Sequence, residues 1–70
     1  MLRVKVYYDQ VGNTLAVRFG EPQEEYVIEE TGEEVILVKD KAGRVIGFEK
    51  LNLLDSKPAH LQVAFETVAT

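Results

Sequence analysis

Residues 2–8 read Leu-Arg-Val-Lys-Val-Tyr-Tyr, and residues 14–19 read Thr-Leu-Ala-Val-Arg-Phe. In both runs apolar residues alternate with polar or small ones, and a period of two is typical of a β-strand with one buried face. The connection from Asp9 to Asn13 contains Gly12, which we expect to supply a positive φ. A short loop between two alternating runs predicts an antiparallel hairpin.

The next part of the chain predicts three more strands. Gly20 to Pro22 end the second strand because proline cannot donate to a ladder. Residues 24–30 then form a Glu-rich strand, and charge of this kind is typical of an exposed edge. Residues 35–39 are apolar on both faces, so we expect a cover on each side, with a partner subunit as one candidate. Residues 44–50 return after a turn at 40–43, and Gly47 predicts a bulge or close backbone packing.

The C-terminal part is less regular. Residues 51–55 fit a short helical turn or a strand end, and residues 56–58 form a break. Residues 61–68 fit both a strand and a helix, and their Val, Phe and Thr residues favour the strand. The chain therefore predicts a mainly β fold, with α+β as the alternative. We expect a single small domain over residues 1–70, an antiparallel meander of five or six short strands with room for one short helix near the C-terminal third.

Size and composition exclude several classes of protein for this chain. The chain has 70 residues, a formal charge of -4 and no Cys, which excludes disulfides and thiolate metal sites. No apolar run approaches the length of a membrane span, and no signal peptide begins the chain, so we expect a soluble cytoplasmic protein. A domain this small buries little surface without cross-links, and self-association is the simplest remedy. We therefore expect a homodimer.

Acidic residues are concentrated in one segment. Residues 21–34 hold seven Glu and no base. This ridge could recruit a basic protein partner, because complementary charge speeds encounter. It could equally be a solvated edge strand that charge keeps from aggregating. The candidate partner-binding residues are Glu24, Glu25, Glu29 and Glu30, together with Arg18 and Glu49 on neighbouring strands.

Signals for catalysis or metal binding are weak. His60 is the sole His and Ser56 the sole Ser, and neither lies in a ligand or nucleophile motif. Consecutive Glu residues on a strand point to opposite faces, so they do not form an acid–base pair. We predict no catalytic residue, no metal ligand and no cofactor. We also expect no membrane partner.

A basic strand face supports an alternative function. Arg3, Lys5 and Tyr7 share one face of the first strand, and Arg18 falls on the matching face of the second. Cations beside an aromatic ring are typical of surfaces that bind single-stranded nucleic acid. Against this, the protein as a whole is acidic, so nucleic acid is the less favoured partner.

Two segments resemble a known family. The first contains Tyr8, Asp9 and Asn13, followed by Leu15-Ala16-Val17-Arg18-Phe19. The second contains Val35-Ile36-Leu37 and Asp40, followed by Gly43-Arg44-Val45-Ile46-Gly47-Phe48-Glu49 and Leu51. Together they resemble the small prokaryotic proteins of domain-of-unknown-function family 2283, over about residues 6–54. Val38 and Lys50 depart from the family pattern, which often has Asp at the first position and an aliphatic residue at the second.

The resemblance implies a small β-rich fold with no established activity. Members are sometimes encoded beside small toxin-like proteins, which implies an antitoxin-like role with a basic partner. From the residues themselves, Arg18 and Glu49 form either a cross-strand ion pair or part of a recognition surface. We expect a non-enzymatic protein-interaction module with an acidic edge. The alternative is the nucleic-acid module, and a small-ligand or enzyme site at a dimer cleft is the third hypothesis.

Overall fold

The computed structural model describes residues 3–55 and 61–69. Within the first of these ranges, five strands form one sheet in which all paired neighbours are antiparallel. A short 3-10 turn, η1, precedes the third strand. The strands are β1 (Lys5–Asp9), β2 (Thr14–Arg18), β3 (Val27–Glu30), β4 (Val35–Lys39) and β5 (Val45–Lys50), and η1 covers Pro22–Glu24. The mainly β class is confirmed.

The first hairpin is present, but its turn differs from the prediction. Asn13, not Gly12, adopts the left-handed conformation, with a φ of 53°. Asn tolerates this region better than most residues because its short side chain forms local hydrogen bonds. Here the Asp9 carboxylate accepts from the backbone N–H groups of Val11 and Gly12, so the turn closes without a positive φ at glycine.

The strands do not follow one another in sequence order across the sheet. Their spatial order is β1-β2-β5-β4-β3, so β5 is central and β3 forms the edge opposite β1. The predicted edge position of the Glu-rich strand is thus confirmed. A Cβ on Gly47 of β5 would lie 2.6 Å from the Val17 carbonyl oxygen, which confirms close backbone packing. The pairing with β4 also shifts beside it, since Val38 lies opposite Gly47 but Lys39 opposite Val45.

The register assigns side chains to two faces. One face, which we call the apolar face, carries Val6, Tyr8, Leu15, Val17, Leu37, Phe48, Val35 and Val27. The opposite face carries Ala16, Arg18, Glu49 and Val38. Among the described residues, the buried hydrophobic side chains are Ala16, Val38 and Ile46. The core is therefore thin, and no residue of the apolar face is fully buried.

The C-terminal predictions need correction. Residues 51–55 form bends instead of a helical turn or a strand. Residues 61–69 form neither strand nor helix, so the preference for a strand over 61–68 is wrong for this chain. Alternation shows which side chains could share a face, but a strand also needs a neighbouring strand with which to exchange hydrogen bonds. Two features named from the sequence lie outside the described residues. They are the predicted break at 56–58, which includes Ser56, and His60.

Candidate functional site

Arg18 lies at the centre of a polar cluster on the face opposite the apolar one. Its Nη2 donates to the Glu49 carboxylate at 2.6 Å, and its Nε donates to the Glu25 carboxylate at 3.2 Å. Register places Arg18 opposite Gly47 and Glu49 opposite Ala16, so the ion pair is a diagonal one between β2 and β5. The predicted cross-strand pair is confirmed, and Glu25 is a second carboxylate that sequence spacing alone did not connect to it.

Gly47 makes this cluster possible. The Arg18 side chain crosses the backbone of β5, and a Cβ at Gly47 would lie 2.7 Å from the Arg18 Cδ. Only 11% of the Arg18 side chain is exposed. Burial lowers the pKa of Arg18, but hydrogen bonds to Glu49 and Glu25 outweigh it and leave the pKa above its ordinary value. The guanidinium therefore stays charged. Its ion pair with Glu25, the residue directly after η1, holds this segment against the sheet.

The second candidate surface is the acidic edge, which we define as Glu24 to Glu30. Within it, Glu25 pairs with Arg18, and Glu29 pairs with Lys39 at 2.8 Å. Glu24 and Glu30 are exposed and form no ion pair with any described residue. The predicted partner-binding residues thus separate into two groups. Arg18, Glu25, Glu29 and Glu49 form ion pairs within the chain, whereas Glu24 and Glu30 are exposed and form none with a described residue.

Two large apolar side chains lie along the same edge. Tyr26 is 66% exposed and Ile28 is 67% exposed. The Thr31 N–H donates to the Val35 carbonyl, and hydrogen bonds alternate along an antiparallel pair. The backbone N–H and C=O of Ile28 and Glu30 therefore point away from β4, toward the open side of β3. Among the described residues, the acidic edge thus combines exposed apolar side chains, carboxylates outside any ion pair and strand backbone that faces away from the sheet.

The basic face of the alternative hypothesis is smaller than the sequence predicted. Lys5 Nζ lies 5.4 Å from the centre of the Tyr7 ring, a cation–π arrangement on β1. Arg3, Lys5 and Tyr7 do line one groove together with Arg18. However, Arg18 is neutralised by its two carboxylates, and Glu21 and Glu25 line the same groove. The groove therefore offers a polyanion two cations, Arg3 and Lys5, that form no ion pair with a described residue, and acidic groups lie beside them.

The polar residues of the family pattern hold loops in place. The Tyr8 hydroxyl donates to the Asn13 side-chain oxygen, and that oxygen also accepts from the Leu54 N–H. The Asn13 amide in turn donates to the Leu54 carbonyl at 2.8 Å, so one buried side chain ties Leu54 to the first hairpin, and the Asn13 backbone carbonyl accepts from the Leu53 N–H.

Asp40 does the same at the second turn. Its carboxylate accepts from the N–H of Ala42 and from both the N–H and the guanidinium of Arg44. The hydrogen bond from the Arg44 N–H is the main reason that the pKa of Asp40 lies below its ordinary value. Gly43 completes this turn with a φ of 84°.

The described residues contain no group of three or more His, Asp or Glu side chains placed to hold a metal ion. Nor does the described part of the chain include a helix long and apolar enough to cross a membrane. Comparison with known proteins identifies one family: its sequence model, described as a protein of unknown function (DUF2283), matches residues 5–53. The resemblance drawn from the two segments is confirmed. No curated protein and no solved structure matches the chain.

Proposed function

The chain belongs to the DUF2283 family, whose function is unknown, and we propose that it is a non-enzymatic protein-interaction module that binds a basic partner along the acidic edge. The observation that carries this proposal is the composition of β3 and the residues before it. An edge strand that needed only to remain soluble would expose charge. This one exposes Tyr26 and Ile28 between the exposed carboxylates of Glu24 and Glu30.

The mode of binding that fits this edge is the addition of a strand. An extended segment of the partner would pair with the outward backbone groups of Ile28 and Glu30, and main-chain hydrogen bonds would provide affinity. Lysine or arginine side chains on the added strand would meet Glu24 and Glu30. Apolar side chains between them would cover Tyr26 and Ile28. A small basic toxin, the partner that an antitoxin-like role implies, has the charge that this surface requires.

The test is affinity capture with the full chain from a lysate of the source cells, followed by mass spectrometry. We expect a basic protein among the captured ones, and its binding should weaken as salt is raised. Glu30→Lys should reduce its affinity about tenfold, because a like charge replaces an attraction at the rim of the interface. Asp55→Lys is the matched control, since it makes the same charge change at an exposed residue away from the edge. Equal binding by native protein and Glu30→Lys would contradict the proposal.

The same preparation distinguishes the nucleic-acid alternative. Because two unpaired cations release few counterions, we expect no retention of a single-stranded oligonucleotide at low salt. Tight binding that Lys5→Glu abolishes would instead favour the basic face.

A further inference from the structure

Among the described residues, no helix or second sheet packs on the apolar face, and only the irregular segment around Leu61 and Val63 lies against part of it. The side chains of this face range from half-buried to 44% exposed at Val6 and 42% at Val27. The opposite face is different, because the segment that follows β2 folds back over it and pairs Glu25 with Arg18. On this face Ala16 and Val38 are only 3% and 0% exposed. A sheet with an apolar face must bury that face against another element.

The dimensions of the chain agree with an incomplete core. Its radius of gyration is 13.5 Å, whereas a compact domain of this length has about 11 Å. The described chain is thus closer to a single layer with attached loops than to a closed two-layer domain. Residues 35–39 are apolar on both faces, so the sequence also predicts that a second layer covers the apolar face at β4.

We propose that the apolar face closes against the same face of a second copy, giving a two-layer sandwich of two identical sheets. Charge supports an identical partner. The two bases on this side of the sheet are Lys39 and Lys50, and they pair with Glu29 and Glu34 of the same chain. The face is therefore neutral in itself. A two-fold axis places like groups near each other, so a neutral face can meet its own copy without repulsion.

The C-terminal segment adds to the area available for this contact. Five strands of about five residues, about 4.8 Å apart and rising about 3.4 Å per residue, give a face of roughly 400 Å² in projection. Each partner of a standard interface buries about 800 Å². Residues 61–69 supply further apolar surface, since Leu61 and Val63 line a groove with Val6 and Leu15, and Phe65 is 89% exposed beyond them. In the dimer Phe65 covers the rim of the second sheet.

The experiment is sedimentation velocity on the full chain over a wide concentration range. The native protein should sediment with twice the monomer mass of 7.9 kDa. Leu37→Lys places a charge in the middle of the apolar face. Because of the two-fold axis, each dimer would bury two such charges at its interface. The substitution should raise the dimer dissociation constant by at least about a hundredfold. Phe65→Ser should raise it less, and it removes an exposed side chain that the sheet does not need for folding.

Ile36→Lys is the matched control. Ile36 precedes Leu37 on β4 and has the opposite orientation, opposite Glu49 and Glu30 in the register, so the variant should remain dimeric. Circular dichroism checks that each variant keeps its strands. A native protein that is monomeric at every concentration would overturn the proposal, and so would dimers of Leu37→Lys and Phe65→Ser as tight as the native one. This measurement needs no other protein, so its outcome is independent of the acidic-edge proposal.

Discussion

The cluster around Arg18 allows a quantitative test of whether the sequence-predicted Arg18 and Glu49 stabilise the fold. The Arg18–Glu49 contact is 2.6 Å long and its side chains are 11% and 27% exposed, whereas the Arg18–Glu25 contact is 3.2 Å long with 33% of Glu25 exposed. A hydrogen bond to a charged group contributes about 1.5–3 kcal/mol when sheltered, and an exposed ion pair about 0.2–1 kcal/mol. Partial exposure therefore places the first pair at about 1–2 kcal/mol and the second at about 0.5 kcal/mol.

Double-mutant cycles measure these two coupling energies separately. The first cycle combines Arg18→Met with Glu49→Gln, and the second combines Arg18→Met with Glu25→Gln. Methionine keeps an apolar stem over Gly47, so packing is largely retained while the charge is removed. Urea unfolding followed by circular dichroism gives the free energies, at one fixed protein concentration because association would contribute to apparent stability.

We expect a coupling energy for Arg18 and Glu49 that is clearly larger than that for Arg18 and Glu25 and that persists in high salt. Such a result would show that the Arg18–Glu49 pair stabilises the sheet. It would also show that the Arg18–Glu25 pair holds the segment after η1 more weakly. Equal coupling energies, or a Glu49 coupling that salt removes, would refute the argument from burial and distance.

Three further predictions concern the turns and the central strand. Gly47→Ala should destabilise the protein by about 1–3 kcal/mol in urea unfolding, because the new Cβ would meet the Val17 carbonyl. Asn13→Ala should cost about 2 kcal/mol by removing the side-chain partners of the half-buried Leu54 backbone, with faster amide hydrogen exchange at Leu54 as the local readout. Because the pKa of Asp40 is lowered on folding, its stabilisation is present above the ordinary value of 3.8 and is lost as pH falls through the folded value. Asp40→Asn should therefore flatten the loss of the urea midpoint below that pH.

Sequence patterns located the strands of this protein well, through side-chain alternation in the first hairpin and through a continuous apolar run in β4. The alternation of residues 14–19 corresponds to β2. Of the Glu-rich strand predicted over 24–30, only Val27–Glu30 forms the edge strand β3, because Glu24 ends the 3-10 turn η1. Gly47 was informative because a residue without a side chain inside a strand usually marks a close approach. Periodicity says nothing about which distant strands pair, so the central position of β5 and its contact with β2 could not be predicted from it.

The sequence predicted which residue types form the candidate site, but it did not predict which of these residues form ion pairs with each other. Seven Glu in one segment predicted an acidic surface, yet the sequence could not distinguish Glu30, which is free among the described residues, from Glu29, which pairs with Lys39. That difference depends on the β3–β4 register, which places Val27 opposite Lys39 and Glu29 opposite Leu37 on one face. The strand predicted over 61–68 failed for a related reason, since its alternation is real but its hydrogen-bonding partner is not supplied by the described part of the chain.

The two proposed surfaces use different directions of the same sheet. Strand addition at β3 extends the sheet in its own plane, along the direction of the backbone hydrogen bonds. Packing of the apolar face against a second copy acts perpendicular to that plane, so it leaves the outward backbone groups of Ile28 and Glu30 free. A dimer built in this way would carry two acidic edges related by its two-fold axis. A basic partner with two copies of its binding strand would then bind far more tightly to the native dimer than to monomeric Leu37→Lys, although the edge itself is unchanged.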